Sequence, residues 1–285
     1  MSRFLAPITA VVFAAFAAIL SLAEARTTSH AAGASAVACH SRLTVIAHGQ
    51  GSPDDLAWDG RTLLVSDINQ GTVGVVARGR VRTVVARIRE PEGIVPGPHH
   101  SLIVAEQATD RVLEIKLPKG SRTTLAKLPL PSGKTGVDGI NADGPAAVYV
   151  PDSARGRLYV LHLRSRKLTL VARGMIRPVA AIRWGNGVVV ADEYANAIWR
   201  IGHTRTRLAG VPLPDDLAVI SHHLIASSLL GDVWEVAPHP RVLSSAFLPA
   251  TSDPQGLVPD GPGTVIVADQ SRNTIYRLSD LSRCL

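Results

Sequence analysis

The chain has 285 residues, of which 46% are hydrophobic and 19% are charged, values that suit an ordinary globular protein with a sizeable core. Its 19 prolines and 24 glycines indicate many turns and disfavour a helical protein. The formal net charge is +7, but the cations are dispersed over segments predicted below to be outer strands, where charge prevents edge-to-edge aggregation. Aromatic residues make up only 4% of the chain, so we expect no stacking platform for nucleic acid and no nucleic-acid partner.

The N-terminal segment has the pattern of a targeting sequence. An apolar run at 4–23 ends at Ala23-Glu24-Ala25, a small-x-small pattern typical of signal-peptide cleavage. We therefore predict a signal peptide at 1–25 and a linker at 26–40. About 20 apolar residues can also span a bilayer, so an uncleaved anchor is the alternative. In either case we expect the body of the protein to be secreted or extracytoplasmic, with a membrane as a partner only if the anchor is retained.

A repeat shapes the rest of the chain, 41–285. Each copy starts with a proline, an acid, a small residue and an aliphatic residue, and continues into four short strands. The second position of this template falls on Asp54, Glu92, Asp138, Val179, Asp215 and Gln255. A strand ends 13 or 14 residues later, at Asp67, Glu106, Asp152, Asp192, Ser228 and Asp269. Four strands in each copy of roughly 40 residues predict an all-β fold, a six-bladed β-propeller.

The sixth copy ends after its third strand, and the missing strand is predicted at the front of the chain. Residues 42–47 (Arg-Leu-Thr-Val-Ile-Ala) resemble the fourth strands of the other copies, so we predict that they complete the last blade and close the ring. Cys39 and Cys284 lie beside the two strands that would meet, which predicts a disulfide between them. Closing so long a loop contributes about 4–5 kcal/mol in the chain-entropy model. A lipid-modified Cys39 is the alternative.

Acidic residues gather where the first strand of each copy starts, the part of a propeller that lines the central channel. The template position and the residue after it supply Asp54, Asp55, Glu92, Asp138, Asp215 and Asp216. The part of the channel that these six residues surround is called the mouth below. Like charges in one pore raise one another's pKa unless a cation or a basic ligand neutralises them, and hard cations such as calcium prefer oxygen ligands. One divalent cation, such as calcium, bound among these carboxylates is therefore one hypothesis for the mouth. Further ligand contacts at this mouth are predicted for His48, Asp55, Asp216 and Gln255. A hydrated mouth without a ligand is the alternative.

The acids that end the second strands recur in five of the six copies. A residue repeated in nearly every copy serves the copy itself more readily than a single site. Short acidic side chains accept hydrogen bonds from neighbouring loop amides, so these residues are predicted to be structural.

The repeats also resemble known families. Pro91-Glu92-Gly93-Ile94 and Pro254-Gln255-Gly256-Leu257, each followed by an aliphatic strand and an acid, look like NHL repeats and like propellers of the gluconolactonase, senescence-marker-protein and strictosidine-synthase-like group. The similarity covers roughly 42–278. It implies a propeller with one divalent cation in the channel, bound from the first, third, fourth and fifth blades. The corresponding residues here are Asp54, Asp138, Val179 and Asp215. Val179 cannot ligate a metal, and Asp216 stands where the family pattern has glycine. The resemblance therefore implies a cation site at Asp54, Asp138 and Asp215, with Glu92 in place of the missing ligand.

Two functions follow as hypotheses. The first is a binding module, expected to be a monomer, that offers its acidic face to a small molecule or a protein. The second is a metal-dependent lactonase or esterase-type hydrolase, in which a cation polarises the ester carbonyl and Asp215 or a bound water supplies the base. Streptogramin lyases share the repeat pattern, but no catalytic histidine is placed here. The sequence has no Gly-x-Ser-x-Gly, His-Glu-x-x-His or phosphate-binding glycine loop.

Overall fold

The computed structural model describes residues 41–49, 51–243, 248, 249, 251–283 and 285. These residues lie in one compact unit, Cys39–Leu285. The predicted signal peptide, linker and Cys39–Cys284 disulfide fall outside the described residues and stay predictions. No helix within the described ranges is long and apolar enough to cross a membrane.

The described residues form short strands and four single-turn 3-10 helices, in agreement with the predicted all-β fold. In chain order the strands are β1 (Arg42–His48), β2 (Pro53–Asp59), β3 (Thr62–Asp67), β4 (Thr72–Ala77), β5 (Gly79–Val85), β6 (Pro91–Gly97), β7 (Ser101–Glu106), β8 (Arg111–Lys116), β9 (Ser121–Lys127), β10 (Asn141–Ala142), β11 (Ala147–Asp152), β12 (Arg157–His162), β13 (Lys167–Arg173), β14 (Pro178–Trp184), β15 (Gly187–Asp192), β16 (Ala197–Ile201), β17 (Arg205–Ala209), β18 (Pro214–Ile220), β19 (His223–Ser228), β20 (Asp232–Ala237), β21 (Arg241–Val242), β22 (Pro254–Pro259), β23 (Val265–Asp269) and β24 (Thr274–Ser279). The 3-10 helices are Gln107–Thr109, Ser153–Arg155, Glu193–Ala195 and Leu281–Arg283.

Among the described residues, four sheets contain four strands each, and every strand in them pairs with the next along the chain: β6–β9, β10–β13, β14–β17 and β18–β21. The remaining sheet has eight strands in the order β2-β3-β4-β5-β1-β24-β23-β22. In it, β1 runs antiparallel to β24 from Arg42 opposite Ser279 to His48 opposite Thr274. The predicted pairing of the N-terminal segment with the last repeat is therefore present.

The hydrophobic core lies between neighbouring sheets. Ala57 and Leu64 of one sheet share a buried cluster with Ile94 and Leu102 of the next, and similar clusters follow along the chain. The first strands contact one another in sequence, β2 with β6, β14 with β18, β18 with β22, and β22 again with β2. Side chains alternate across each strand, so both faces of a sheet are covered by neighbours. This arrangement is a β-propeller, and it brings the starts of the first strands together.

Two repeats depart from the regular four strands of the template. In the first repeat the fourth strand, β5, ends at Val85. Arg87 takes a left-handed conformation (φ 64°), which ends the extended backbone there. The start of the third repeat, 137–140, is not a strand, and the amide of Val137 donates to the Asp110 carboxylate in the turn before β8 (2.8 Å). Residues 244–247, which follow β21, lie outside the described residues.

Candidate functional site

A β-bulge opens the first strand of most repeats and sets the direction of the acidic residues. The register of the strand pair shifts between Pro53 and Leu56, and the same shift follows Pro91, Pro178, Pro214 and Pro254. A bulge leaves one residue out of the ladder and turns its neighbours, a device found beside binding sites. The residues after each template proline therefore leave the sheet at the centre of the ring.

These residues surround a cavity of about 10 Å³, room for one water-sized group. Its walls are Asp54, Asp55, Asp138, Gly139, Val179, Ala180, Asp215, Asp216 and Gly256. The structure thus brings together Asp54, Asp138 and Asp215, three of the four predicted cation ligands. The fourth, Glu92, is hydrogen-bonded to Asp54.

Two other predicted contacts lie apart from this cavity. The Nδ1 atom of His48 is 3.4 Å from the Thr274 hydroxyl, and the Gln255 side chain bonds to Asp253. Neither residue is among those that line the cavity within the described residues.

Burial dominates the electrostatics of the mouth. Desolvation raises the pKa of Asp54 to about 7 and that of Asp216 to about 6. The pKa of Glu92 is raised well above its usual value, first by burial and then by the charge of Asp54. Asp215 is partly exposed, and burial followed by the charge of Asp138 raises its pKa in the same direction. The mouth therefore favours bound protons or a bound cation near neutral pH.

Asp55 and Asp216 use their carboxylates to join neighbouring first strands. Asp55 accepts hydrogen bonds from the amides of Leu56 and Ile94, both at 2.7 Å, and so links β2 to β6. Asp216 accepts from Leu217 and Leu257 at the same distances and links β18 to β22. Buried carboxylates with two amide donors are well satisfied, and these bonds stabilise the ring. A ligand contact for either residue stays a prediction.

Arg177 is the site residue that the sequence did not indicate as functional. It precedes Pro178 at the start of β14, and its Nη2 atom donates to Oδ2 of Asp138 at 2.7 Å. The guanidinium also pairs with Glu193 of the 3-10 helix Glu193–Ala195. Burial disfavours the charged guanidinium, but the negative charge of Asp138 is the largest of the effects that act against burial, and the pKa of Arg177 is raised.

Two side-chain amides also donate to the carboxylates of the mouth. Gln107 donates to Asp138 (3.2 Å), and Gln270 donates to Asp54 (2.9 Å).

A signal for Arg177 exists in the repeat itself. The residues at this template position are Ser52, Glu90, Gly136, Arg177, Leu213 and Asp253. Arginine occurs there only in the fourth copy, which is also the copy where Val179 replaces the acid. A basic residue two positions before a missing carboxylate is the signal that identifies Arg177 as a candidate site residue.

The acids that end the second strands are structural, as predicted. Asp67 accepts from the amides of Ser52 and Gln70, both at 3.0 Å. Asp192 accepts from the amides of Ile176 (3.1 Å) and Arg177 (2.8 Å). These bonds fix the loops that carry the mouth residues.

The mouth does not present a ready-made metal site. Within the described residues no group of three or more histidine, cysteine, aspartate or glutamate side chains is arranged to hold a metal ion. Val179 offers no donor atom at the fourth position, and Asp138 is already bonded to Arg177. These side chains, as arranged, do not fit a resident divalent cation. A cation at Asp54, Glu92, Asp138 and Asp215 therefore stays a prediction.

Solved structures share this fold. Luciferin-regenerating enzyme aligns with a TM-score of 0.69 at 14% identity, over 84% of this chain and 95% of that one. A protein assigned as a gluconolactonase aligns with a TM-score of 0.67 at 16% identity, over 84% of this chain and 92% of that one. Virginiamycin B lyase from Staphylococcus aureus aligns with a TM-score of 0.63 at 13% identity, over 84% and 98%.

At the level of sequence the comparisons give no match. No family model matches the chain, and no curated protein is significantly similar to it. Identities this low establish a shared fold and leave activity open. The resemblance that the repeats predict is confirmed at that level: the chain has the β-propeller fold of gluconolactonase-like proteins and luciferin-regenerating enzyme.

Proposed function

We propose that this protein is an exported six-bladed β-propeller that binds a cationic group of a small molecule or protein in its acidic mouth. The blade number is supported by the way the eight-stranded sheet divides. Among the described residues, the strand pairing between its halves, β2–β5 and β1 with β22–β24, consists of the parallel pairs Ala47–Gly79 and His48–Arg80. Two blades in this sheet and one in each four-stranded sheet make six.

The observation that carries the binding proposal is the imbalance of charge around the cavity. Six carboxyl groups meet there: Asp54, Asp55, Glu92, Asp138, Asp215 and Asp216. Arg177 is the one basic side chain among the described residues that forms an ion pair with them. A partly desolvated site with this excess of carboxyl groups over basic groups favours a bound cation, which displaces the protons that the raised pKa values retain.

The size of the cavity and the state of Asp215 indicate which cation. About 10 Å³ admits one water-sized group, which an ammonium head fills and a ring does not. Asp215 is partly exposed and accepts no hydrogen bond from any described residue, so its carboxylate is available to a ligand. An ammonium group donates three hydrogen bonds and suits several carboxylate acceptors at once. The preferred ligand class is therefore a primary amine on a slender chain, including a lysine side chain.

We expect putrescine to raise the melting temperature of the purified protein at pH 7. At 100 times its Kd a ligand adds about 2.7 kcal/mol, which corresponds to roughly 5–10 °C for a domain of this size. Calorimetric titration gives the affinity directly. Asp215→Asn removes the available carboxylate charge and should reduce the shift at least threefold. Asp59→Asn, at the exposed end of β2, is the matched control and should leave the shift unchanged.

Tetramethylammonium tests the size argument, because it carries the unit charge of one ammonium head of putrescine without the donors or the small radius. Equal stabilisation by tetramethylammonium and putrescine would mean that nonspecific electrostatic attraction, and not the fit of an ammonium head, accounts for the rise in melting temperature. No stabilisation by putrescine at millimolar concentration would contradict the proposal.

The second candidate is a divalent-metal-dependent lactonase or esterase-type hydrolase. The shared fold with a protein assigned as a gluconolactonase favours it, as does the position of Asp215 in the cavity wall. It needs a cation that the present contacts of Asp138 do not accommodate. Turnover of a simple lactone by the purified protein with added calcium, manganese or zinc, lost in Asp215→Ala, would replace the binding proposal with this one.

A further inference from the structure

The segment that carries Arg177 is fixed on both sides. Its amide donates to the Asp192 carboxylate (2.8 Å), and its carbonyl accepts from the amide of Glu193 (2.9 Å). The proline that follows limits Arg177 to extended backbone conformations. The side chain is therefore directed by the structure of β14 and β15 and not by chance contacts at the surface.

The guanidinium itself is held from three directions. It bonds to Asp138 at 2.7 Å, pairs with Glu193, and lies 5.3 Å from the centre of the Tyr194 ring. Only 16% of the side chain is exposed. Charge-assisted hydrogen bonds of this kind are the strong ones, and a cation over an aromatic ring adds to them. Arg177 is thus a fixed positive charge at the edge of the cavity.

We infer that Arg177 is a built-in counter-ion at the edge of the mouth that excludes divalent metals by holding the Asp138 carboxylate. Asp138 is one of the oxygen donors that a metal would need, and its Oδ2 atom is bonded to Nη2 of Arg177. A divalent ion next to the guanidinium would also face a like charge in a partly desolvated site, where repulsion is strong. The fourth repeat offers no donor atom at Val179 and places a tethered cation two residues earlier. This inference concerns metal selectivity and does not rest on amine binding.

The test is gain of metal binding in the full-length protein. Wild-type protein titrated with calcium, magnesium, manganese or zinc should show no binding below millimolar concentration. Arg177→Ala should bind at least one of these ions at least tenfold more tightly, with a rise in melting temperature that EDTA reverses. Arg177→Lys keeps the positive charge and should stay unresponsive. Arg183→Ala is the matched control, because Arg183 forms an exposed ion pair with Asp143 and its side chain is 60% exposed.

Arg177→Gln covers the case in which the alanine variant does not fold, since glutamine keeps length and a hydrogen-bond donor while removing the charge. Near-UV circular dichroism establishes that each variant has native packing. Metal binding by wild type as tight as by the neutral variants would overturn the inference. Failure of every natively packed neutral variant to bind any of the four ions would overturn it as well. Amine binding can succeed or fail independently of these outcomes.

Discussion

Replacing Gly93 with alanine is expected to lower the free energy of unfolding by about 3 kcal/mol or more. A Cβ atom at this position would lie 2.0 Å from the amide nitrogen of Ile140 and 2.7 Å from the carbonyl carbon of Gly139. Both neighbours are backbone atoms of the next repeat, so no side-chain rotation relieves the clash. The start of β6 and residues 139–140 of the next repeat would have to move apart.

Chemical denaturation measures this effect, and in a thermal scan it corresponds to a fall of about 6–12 °C for a domain of this size. Gly202→Ala is the control, because the nearest atom to its added Cβ is 3.9 Å away and its backbone needs no left-handed conformation. We expect Gly202→Ala to change stability by less than about 1 kcal/mol. Equal stability of the two variants would show that the first strands are not packed as closely as described.

The second large effect is a loss of stability as the pH rises from 5 to 8. Burial raises the pKa of Asp54 to about 7 from 3.8, so the folded state holds its proton when the unfolded state has already released it. The stabilisation from this group is fully present below pH 3.8 and is lost as the pH rises through about 7. Between pH 5 and 8 the loss from Asp54 alone is about 2–3 kcal/mol. Asp216, with a pKa raised to about 6, acts in the same direction.

Asp54→Asn should flatten this pH dependence. Asparagine stays neutral in both states and keeps an oxygen that can accept the hydrogen bond from Gln270. We expect the free energy of unfolding to fall by about 2 kcal/mol less between pH 5 and 8 in this variant than in wild type. Urea denaturation at both pH values gives the four free energies, with Asp59→Asn as the matched control. A slope unchanged by Asp54→Asn would mean that Asp54 is ionised in the folded protein at pH 5.

The propeller could be predicted from the sequence because its repeat is local. Hairpin partners lie within a few residues of each other, so turn residues and the 13- or 14-residue spacing mark them without knowledge of the whole structure. The pairing of β1 with β24 was predictable for a different reason. The last copy lacks its fourth strand, and a segment that resembles a fourth strand comes before the first copy. The loss of strand structure at 137–140, where the Val137 amide donates to Asp110 of the turn before β8, is not apparent from the template.

The candidate site, like the fold, could be predicted from the sequence only in part. The acidic ring follows from the template position, so Asp54, Asp138 and Asp215 could be placed together in advance. The role of Arg177 could not, because its partner Asp138 lies 39 residues earlier and the contact crosses between sheets. The amide bonds of Asp55 and Asp216 to the following repeat are hidden for the same reason. Sequence patterns report which residues face the centre, whereas contacts between repeats decide which of them are free to act.

The pairing of β1 with β24 also sets the order in which the chain can fold. His48 and Thr274, opposite each other in this pair, are 226 residues apart. Loop-closure entropy grows with the logarithm of that separation and costs about 5 kcal/mol, against far less for a hairpin. A ribosome makes β1 before every other strand of the ring and β24 after all of them, so β1 waits with an unpaired edge throughout synthesis. Each local sheet can form as it emerges, and the ring becomes a single cooperative unit only when the last strand arrives.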